Sequence, residues 1–200
     1  MKQPLGVILA GGQATRMGGG DKGLLQLGGQ SVLGHVIERL TPQVDRVALN
    51  ANGDAARFAG LKLPVLPDSI DGFAGPLAGV LAGLDWAAEQ GADTIVTAAA
   101  DTPFFPGDLV PQLLLASEGM THPLVLAATP DAKRGPARHP TFGLWPVALR
   151  DDLRAALQGG LRKVVMWTQT HEGREALFPH EDAFFNINTP QDLARAQEMI

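Results

Sequence analysis

Hydrophobic and polar positions alternate in blocks along this chain. Short apolar runs of four to six residues predict buried strands at 6–10, 46–50, 63–66, 94–99, 124–128, 141–145 and 183–186. Amphipathic stretches between them predict helices at 31–40, 76–90, 106–117, 146–158, 161–167 and 190–199. Ser31 and Thr189 stand where N-caps are expected, and Pro76, Pro106, Pro146 and Pro190 fall at first-turn positions. The polar, proline-rich stretch 129–140 reads as a loop between two strands, and no internal repeat is visible. Strands alternating with helices predict an α/β fold: a largely parallel sheet with helices on both faces. Ligands of such sheets sit beyond the carboxyl ends of the strands. The residues that follow each apolar run are therefore the ones to inspect.

The first run, Leu5 to Ala10, stops at Gly11 and Gly12 and opens a glycine-rich loop that also carries Arg16 and Lys22. Glycine lets backbone N–H groups approach a ligand closely, and successive N–H groups can form an anion-binding concavity. Two cations in the same loop point to polyphosphate. A tight turn is the bland alternative. The loop is not a P-loop, because Lys22 is followed by Gly23 where Ser or Thr is needed. Nor is it the dinucleotide fingerprint, because the third position is Gln13 counting from Gly11 and Ala14 counting from Gly12. The run 18–20 is expected to be mobile and to order on ligand binding.

Asp101 follows the apolar run 94–100 and precedes Thr102-Pro103, which places a carboxylate at the end of a buried, central strand. A carboxylate there must be solvated, paired or bound to a cation. Mg²⁺ is held in this way by one or two carboxylates plus phosphates and waters. Capping of the following turn is the bland alternative. Asn50 ends another strand, whereas Asn52-Gly53 reads as the tip of a turn. Asp68 could accept two donors from one edge of a guanine or hold a ribose hydroxyl, but Pro67-Asp68-Ser69 is also a turn signature. The segment 75–79 opens a helix whose free N–H groups could face a ligand. Asn186 and Asn188 share one side of the last expected strand by period-2 alternation. His139 reads as a packed or exposed side chain rather than a catalyst, and the role of Asp21 beside Lys22 stays open.

The run LAGG-x-x-x-RMGG-x-DKG from Leu9 to Gly23, with Asp101-Thr102-Pro103 and Asn186-Ile187-Asn188-Thr189-Pro190, resembles the nucleotidyltransferases, most closely the molybdenum cofactor guanylyltransferases. The resemblance extends from Leu9 through Asn188. It implies a single-domain, three-layer, Rossmann-like nucleotidyltransferase fold over 1–200. A GTP-binding half would cover about 1–105, and 106–200 would contribute the pterin side. It implies transfer of GMP from GTP to the terminal phosphate of molybdenum-bound molybdopterin, with release of pyrophosphate. By the same resemblance, Leu9, Ala10, Gly11, Gly12, Lys22, Asn50, Asp68, Asp101, Asn186 and Asn188 bind substrate or nucleotide. Asp101 is the Mg²⁺ ligand, and Asp101, Lys22 and Arg16 are the catalytic set. Related sugar-nucleotide enzymes carry an acidic second metal ligand near the sheet's end, whereas amides stand here. The His139-Pro140-Thr141 segment would lie toward the pterin. Transient contact with molybdenum cofactor delivery proteins or apo-molybdoenzymes is also implied. The rivals are a molybdopterin cytidylyltransferase, a sugar-phosphate nucleotidyltransferase, an NAD-dependent oxidoreductase and a catalytically silent nucleotide-binding module.

Composition narrows the classes further. A hydrophobic share of 45% with 18% charged residues suits a packed core in this 200-residue chain. A net charge of −5 without a Lys/Arg cluster argues against nucleic acid. There is no cysteine, so disulfides, thiolate metal sites and a Cys nucleophile are excluded. The remaining histidines have no ligand spacing. No stretch of eighteen apolar residues and no leader pattern is present, so no membrane association and a cytoplasmic location are expected.

Overall fold

The computed structural model describes residues 2–11, 22–72, 75–131, 133 and 135–200. In chain order its elements are β1 (Leu5–Leu9), β2 (Gln26–Leu27), β3 (Gln30–Ser31), α1 (Val32–Leu40), β4 (Val47–Asn50), β5 (Val65–Leu66), α2 (Pro76–Glu89), β6 (Thr94–Ala99), α3 (Leu109–Ala116), β7 (Val125–Thr129), β8 (Ala137–Pro146), α4 (Arg150–Gln158), α5 (Val164–Thr170), β9 (Arg174–Leu177) and α6 (Pro190–Gln197).

The main sheet has seven strands in the order β5-β4-β1-β6-β8-β7-β9. Pairing is parallel through β5, β4, β1 and β6, and again between β7 and β9; only β8 runs against its neighbours. Apolar side chains of α1 and α3 pack with one face of the sheet. Those of α2, α4 and α5 pack with the other. The expected three layers are therefore present. A smaller cluster of Leu27, Val32, Ile187 and Ala196, with Phe104 and Phe185 against it, fastens the β2–β3 hairpin to the C-terminal segment.

Strands pack on both faces here because β1, β4 and β6 are almost uniformly apolar and buried. α2 lies unusually close to them. A Cβ on Gly83 would stand 2.8 Å from Val7 Cγ2, so only glycine permits that approach. Ser31 caps α1 by accepting from the Gly34 N–H, and Thr189 and Asp192 form a capping box on α6. Pro76 and Pro190 occupy first-turn positions as expected.

Several expectations need correction. Pro106 precedes α3, which starts only at Leu109, and Pro146 ends β8 ahead of a 3₁₀ turn over Val147–Leu149. The helix expected at 161–167 is shifted to Val164–Thr170. The loop expected at 129–140 is shorter, because β7 runs to Thr129 and β8 begins at Ala137. The register of that pair shifts between Leu126 and Ala127. Pro140 falls inside the irregularity, where no ladder N–H is needed. The strand expected at 183–186 is absent. Glu181–Phe184 forms a 3₁₀ turn, and Ile187 N–H donates to the Asp101 carbonyl at 2.8 Å. β9 and the β2–β3 hairpin were not anticipated.

Candidate active site

Four parallel strands bring the candidate residues to one edge. The register pairs Leu9 with both Asn50 and Ala99, and Asn50 with Leu66. Gly11, Asn50, Asp68 and Asp101 therefore follow or end neighbouring strands at about the same level. At roughly 4.8 Å per strand, the row from β5 to β6 spans about 14 Å. The chain reverses its direction of travel across the sheet between β1 and β6, since β4 and β5 lie on one side and later strands on the other. Such a switch point is where open α/β sheets bind ligands.

At the β1 end, Leu9 and Ala10 spend backbone groups on the sheet. The Leu9 carbonyl accepts from Ala100 N–H at 3.1 Å, and Ala10 N–H donates to the Asn50 carbonyl at 2.8 Å. Gly11 is exposed where the chain leaves the sheet. Lys22 opens a 3₁₀ turn over Lys22–Leu24. Gly12, Arg16, Asp21 and the run 18–20 lie outside the described residues, as does the Lys22 side chain.

Asn50 is 2% exposed and carries two contacts on its amide nitrogen. Nδ2 donates to the Leu66 carbonyl at 3.1 Å and to Asp68 Oδ1 at 2.9 Å. Its Oδ1 faces Gly11 and Gly79, where a Cβ would stand 3.3 Å and 2.2 Å away respectively. Asn52, expected to be only a turn residue, reaches the same carboxylate. Its Nδ2 donates to Asp68 Oδ2 at 2.8 Å, and its Oδ1 accepts from Asp68 N–H at 2.9 Å. No local signal beyond the Asn-x-Asn spacing marked it, because its partner lies sixteen residues away. Behind Asp68, Ser69 Oγ donates to Asp85 Oδ2 at 2.5 Å, and Arg154 holds the other Asp85 oxygen.

Asp101 sits two residues past β6, the middle strand of the sheet. The buried Thr102 hydroxyl stands 2.6 Å from Asn186 Oδ1 and 3.1 Å from Asp101 Oδ1. Its single proton serves the shorter contact. Asp101 and Asn186 thus present hard oxygen donors side by side. Among the described residues no group of three or more His, Cys, Asp or Glu could hold a metal. A divalent cation at Asp101 would therefore draw its other ligands from amide oxygen, phosphate or water, a donor set that suits Mg²⁺. Asn188 is placed differently: its N–H donates to Asp192 Oδ2 at 2.9 Å, ahead of the α6 cap. These backbone and hydroxyl donors hold the Asp192 carboxyl below the usual range.

His139 is not in this row. Its Nε2 meets Thr129 Oγ1 at 3.0 Å, and its ring stacks on Phe184 with centroids 4.3 Å apart. Burial pushes its pKa below 6.5. Of the packed and exposed alternatives, the geometry here is the packed one. Among the described residues no helix is long and apolar enough to cross a membrane.

The family model of the MobA-like NTP transferase domain matches residues 6–173. A molybdenum cofactor guanylyltransferase of Cereibacter sphaeroides is 53% identical over 195 residues, covering 98% of this chain and 96% of that one. Another protein so named, from Bradyrhizobium sp. (strain ORS 278), is 49% identical, covering 97% and 92%. Among solved structures, molybdopterin-guanine dinucleotide biosynthesis protein A from Archaeoglobus fulgidus superposes with a TM-score of 0.70 at 23% identity, covering 98% and 97%. The 4-diphosphocytidyl-2C-methyl-D-erythritol synthase of Anaerococcus prevotii gives 0.76 at 14% identity, covering 99% and 96%, a likeness of fold alone. With the glycine loop, the edge-on row of polar residues and a match over most of its length, the chain belongs to the MobA-like NTP transferase family.

Proposed function

We propose that this protein transfers GMP from GTP to the terminal phosphate of molybdenum-bound molybdopterin. An oxygen of that phosphate attacks the α-phosphorus of GTP, the bond from the α-phosphorus to the bridging oxygen breaks, and pyrophosphate leaves with the electron pair. The observation that carries the reading is the single row of Gly11, Asn50, Asp68 and Asp101 along the sheet edge, in a chain about half identical to guanylyltransferases over nearly its whole length.

A phosphate monoester is already anionic, so no strong general base is required. The work is to align two anions and neutralise charge as it builds. In this reading Asp68 takes the base. The backbone of Gly11 and Gly12, with Lys22 and Arg16, takes the triphosphate. Asn50 sits between them. Asp101, with Asn186 beside it, would hold Mg²⁺, which when bound supplies positive charge to the reacting phosphates. Residues 106–200 would contribute the pterin side, and Asn186 and Asn188 would bind substrate or nucleotide. The location is cytoplasmic, and delivery proteins or apo-molybdoenzymes are transient partners.

The test is pyrophosphate release with molybdenum-bound molybdopterin and GTP, CTP, ATP or UTP in turn, with and without Mg²⁺. Release with GTP alone among the four, and only with the metal, is expected. Preference for CTP overturns the guanylyl assignment, and release without acceptor or metal overturns the mechanism.

A further inference from the structure

Asn52 stands at the tip of a turn, and its side chain leaves that turn to grip Asp68. The two hydrogen bonds are reciprocal: the amide oxygen accepts from Asp68 N–H, and the amide nitrogen donates to Asp68 Oδ2. This fixes which end of the amide is which, since a backbone N–H needs an acceptor and a carboxylate needs a donor. Asn50 holds the other carboxylate oxygen from the opposite side at 2.9 Å. Rotation of the Asp68 carboxylate about its own bond would break one contact or the other.

Asn52 is itself braced. Its carbonyl accepts from Arg57 Nη2 at 2.7 Å, and Arg57 Nη1 also donates to the Asp54 carbonyl at 2.7 Å. Gly53 takes φ +82° between them, which closes the turn. Asn52 is exposed, so burial does not account for this bracing. The contacts converge on one product, the plane of one carboxylate.

We propose that Asn52 is a positioning residue that sets base selectivity by fixing the Asp68 carboxylate in the orientation that accepts two adjacent N–H donors. The inference rests on the reading that Asp68 binds the base of GTP. Each carboxylate oxygen has two lone-pair sites and gives one to an asparagine, which leaves one per oxygen. Two neighbouring donors, N1–H and the 2-amino group, occur on the pairing edge of guanine and on none of the edges of adenine, cytosine or uracil. A carboxylate free to turn would settle for one donor, which adenine and cytosine also offer. A fixed one pairs fully with guanine and leaves an oxygen unmatched with the others.

The experiment compares GTP with ITP, whose base keeps N1–H and lacks the 2-amino group, by calorimetry on the intact protein and by steady-state kinetics. Wild type is expected to bind GTP about tenfold or more tighter than ITP. Asn52→Ala should bring the two within about twofold, mainly through weaker GTP binding. It should raise KM for GTP while kcat changes little. Should Asn52→Ala fail to fold, Asn52→Ser is read the same way. An unchanged GTP-to-ITP ratio overturns the inference and leaves the proposed function standing. Equal weakening of both nucleotides makes Asn52 a merely structural residue and also overturns it. A wild type that binds neither nucleotide overturns the function and this inference with it.

Discussion

The chain uses the triplet Asn-x-Asn twice, and the two copies are held by different means. In the first, Asn50 completes β4 and Asn52 follows in a braced turn. In the second, Asn186 and Asn188 belong to no strand; Thr102, the Asp101 carbonyl and Asp192 hold that segment instead. Both middle residues, Ala51 and Ile187, are buried, so in each copy the asparagines flank an apolar anchor. The first pair closes on a carboxylate of its own half of the chain. The second reaches back across the fold to the Asp101 loop. One motif thus serves two ends of the edge, and only one of them inherits its geometry from a sheet.

This contrast can be broken. The largest effect is expected from Asp101→Ala, which removes the acid at the end that the second triplet holds. Turnover should fall about 100-fold or more while GTP affinity drops much less, read by pyrophosphate release and calorimetry. Full activity with Mg²⁺ would reject the metal assignment. Next is Gly79→Ala. Its new Cβ would lie 2.2 Å from Asn50 Oδ1 and 2.9 Å from Leu9 Cδ2, so α2 or Asn50 must move. GTP binding should be lost or weakened more than tenfold in a protein that still shows native circular dichroism. Asn186→Ala should do the opposite. It leaves GTP affinity within about twofold and cuts turnover about tenfold, the scale of the one lost hydrogen bond to Thr102 beside Asp101. Equal effects of these two variants on GTP binding would erase the distinction between the two triplets.

Smaller effects concern what holds the second triplet. Thr189→Ala removes the cap of α6 and should cost about 1 kcal/mol in denaturant unfolding. His139 supplies the smallest signal. Its folded pKa lies below 6.5, so the unfolded chain binds the proton more readily. Stability should therefore decline as pH falls below about 6.5, and His139→Gln should flatten that slope in thermal melts.

The first triplet's surroundings were legible because they obey local rules. A short apolar run followed by a turn residue marks a buried parallel strand and its end, as at Leu9, Asn50 and Ala99. Asp101 was readable on that ground alone. The Asp68 clamp was only half readable, since Asn52 looks identical to any Asn-Gly turn until its distant partner is in place. The C-terminal triplet misled for a related reason. Ala183 to Asn186 has a short apolar run like that of a strand, but the chain there closes as a 3₁₀ turn and Ile187 N–H reaches the Asp101 carbonyl. Which segment wins a sheet position depends on the rest of the chain, as β9 and the bulged start of β8 also do. Pro106 and Pro146 were legible as boundaries but not as helix starts, because proline suits the residues before a helix as well as its first turn.

Ile187 touches more than the triplet it divides. It shares its small apolar nest with Leu27 and Val32, which leave the glycine loop, and with Phe104, which leaves the Asp101 turn. Trimming that one branched side chain would loosen a common rivet. The segments that follow the glycine loop and the Asp101 turn would then slacken together, although the altered side chain is wholly buried.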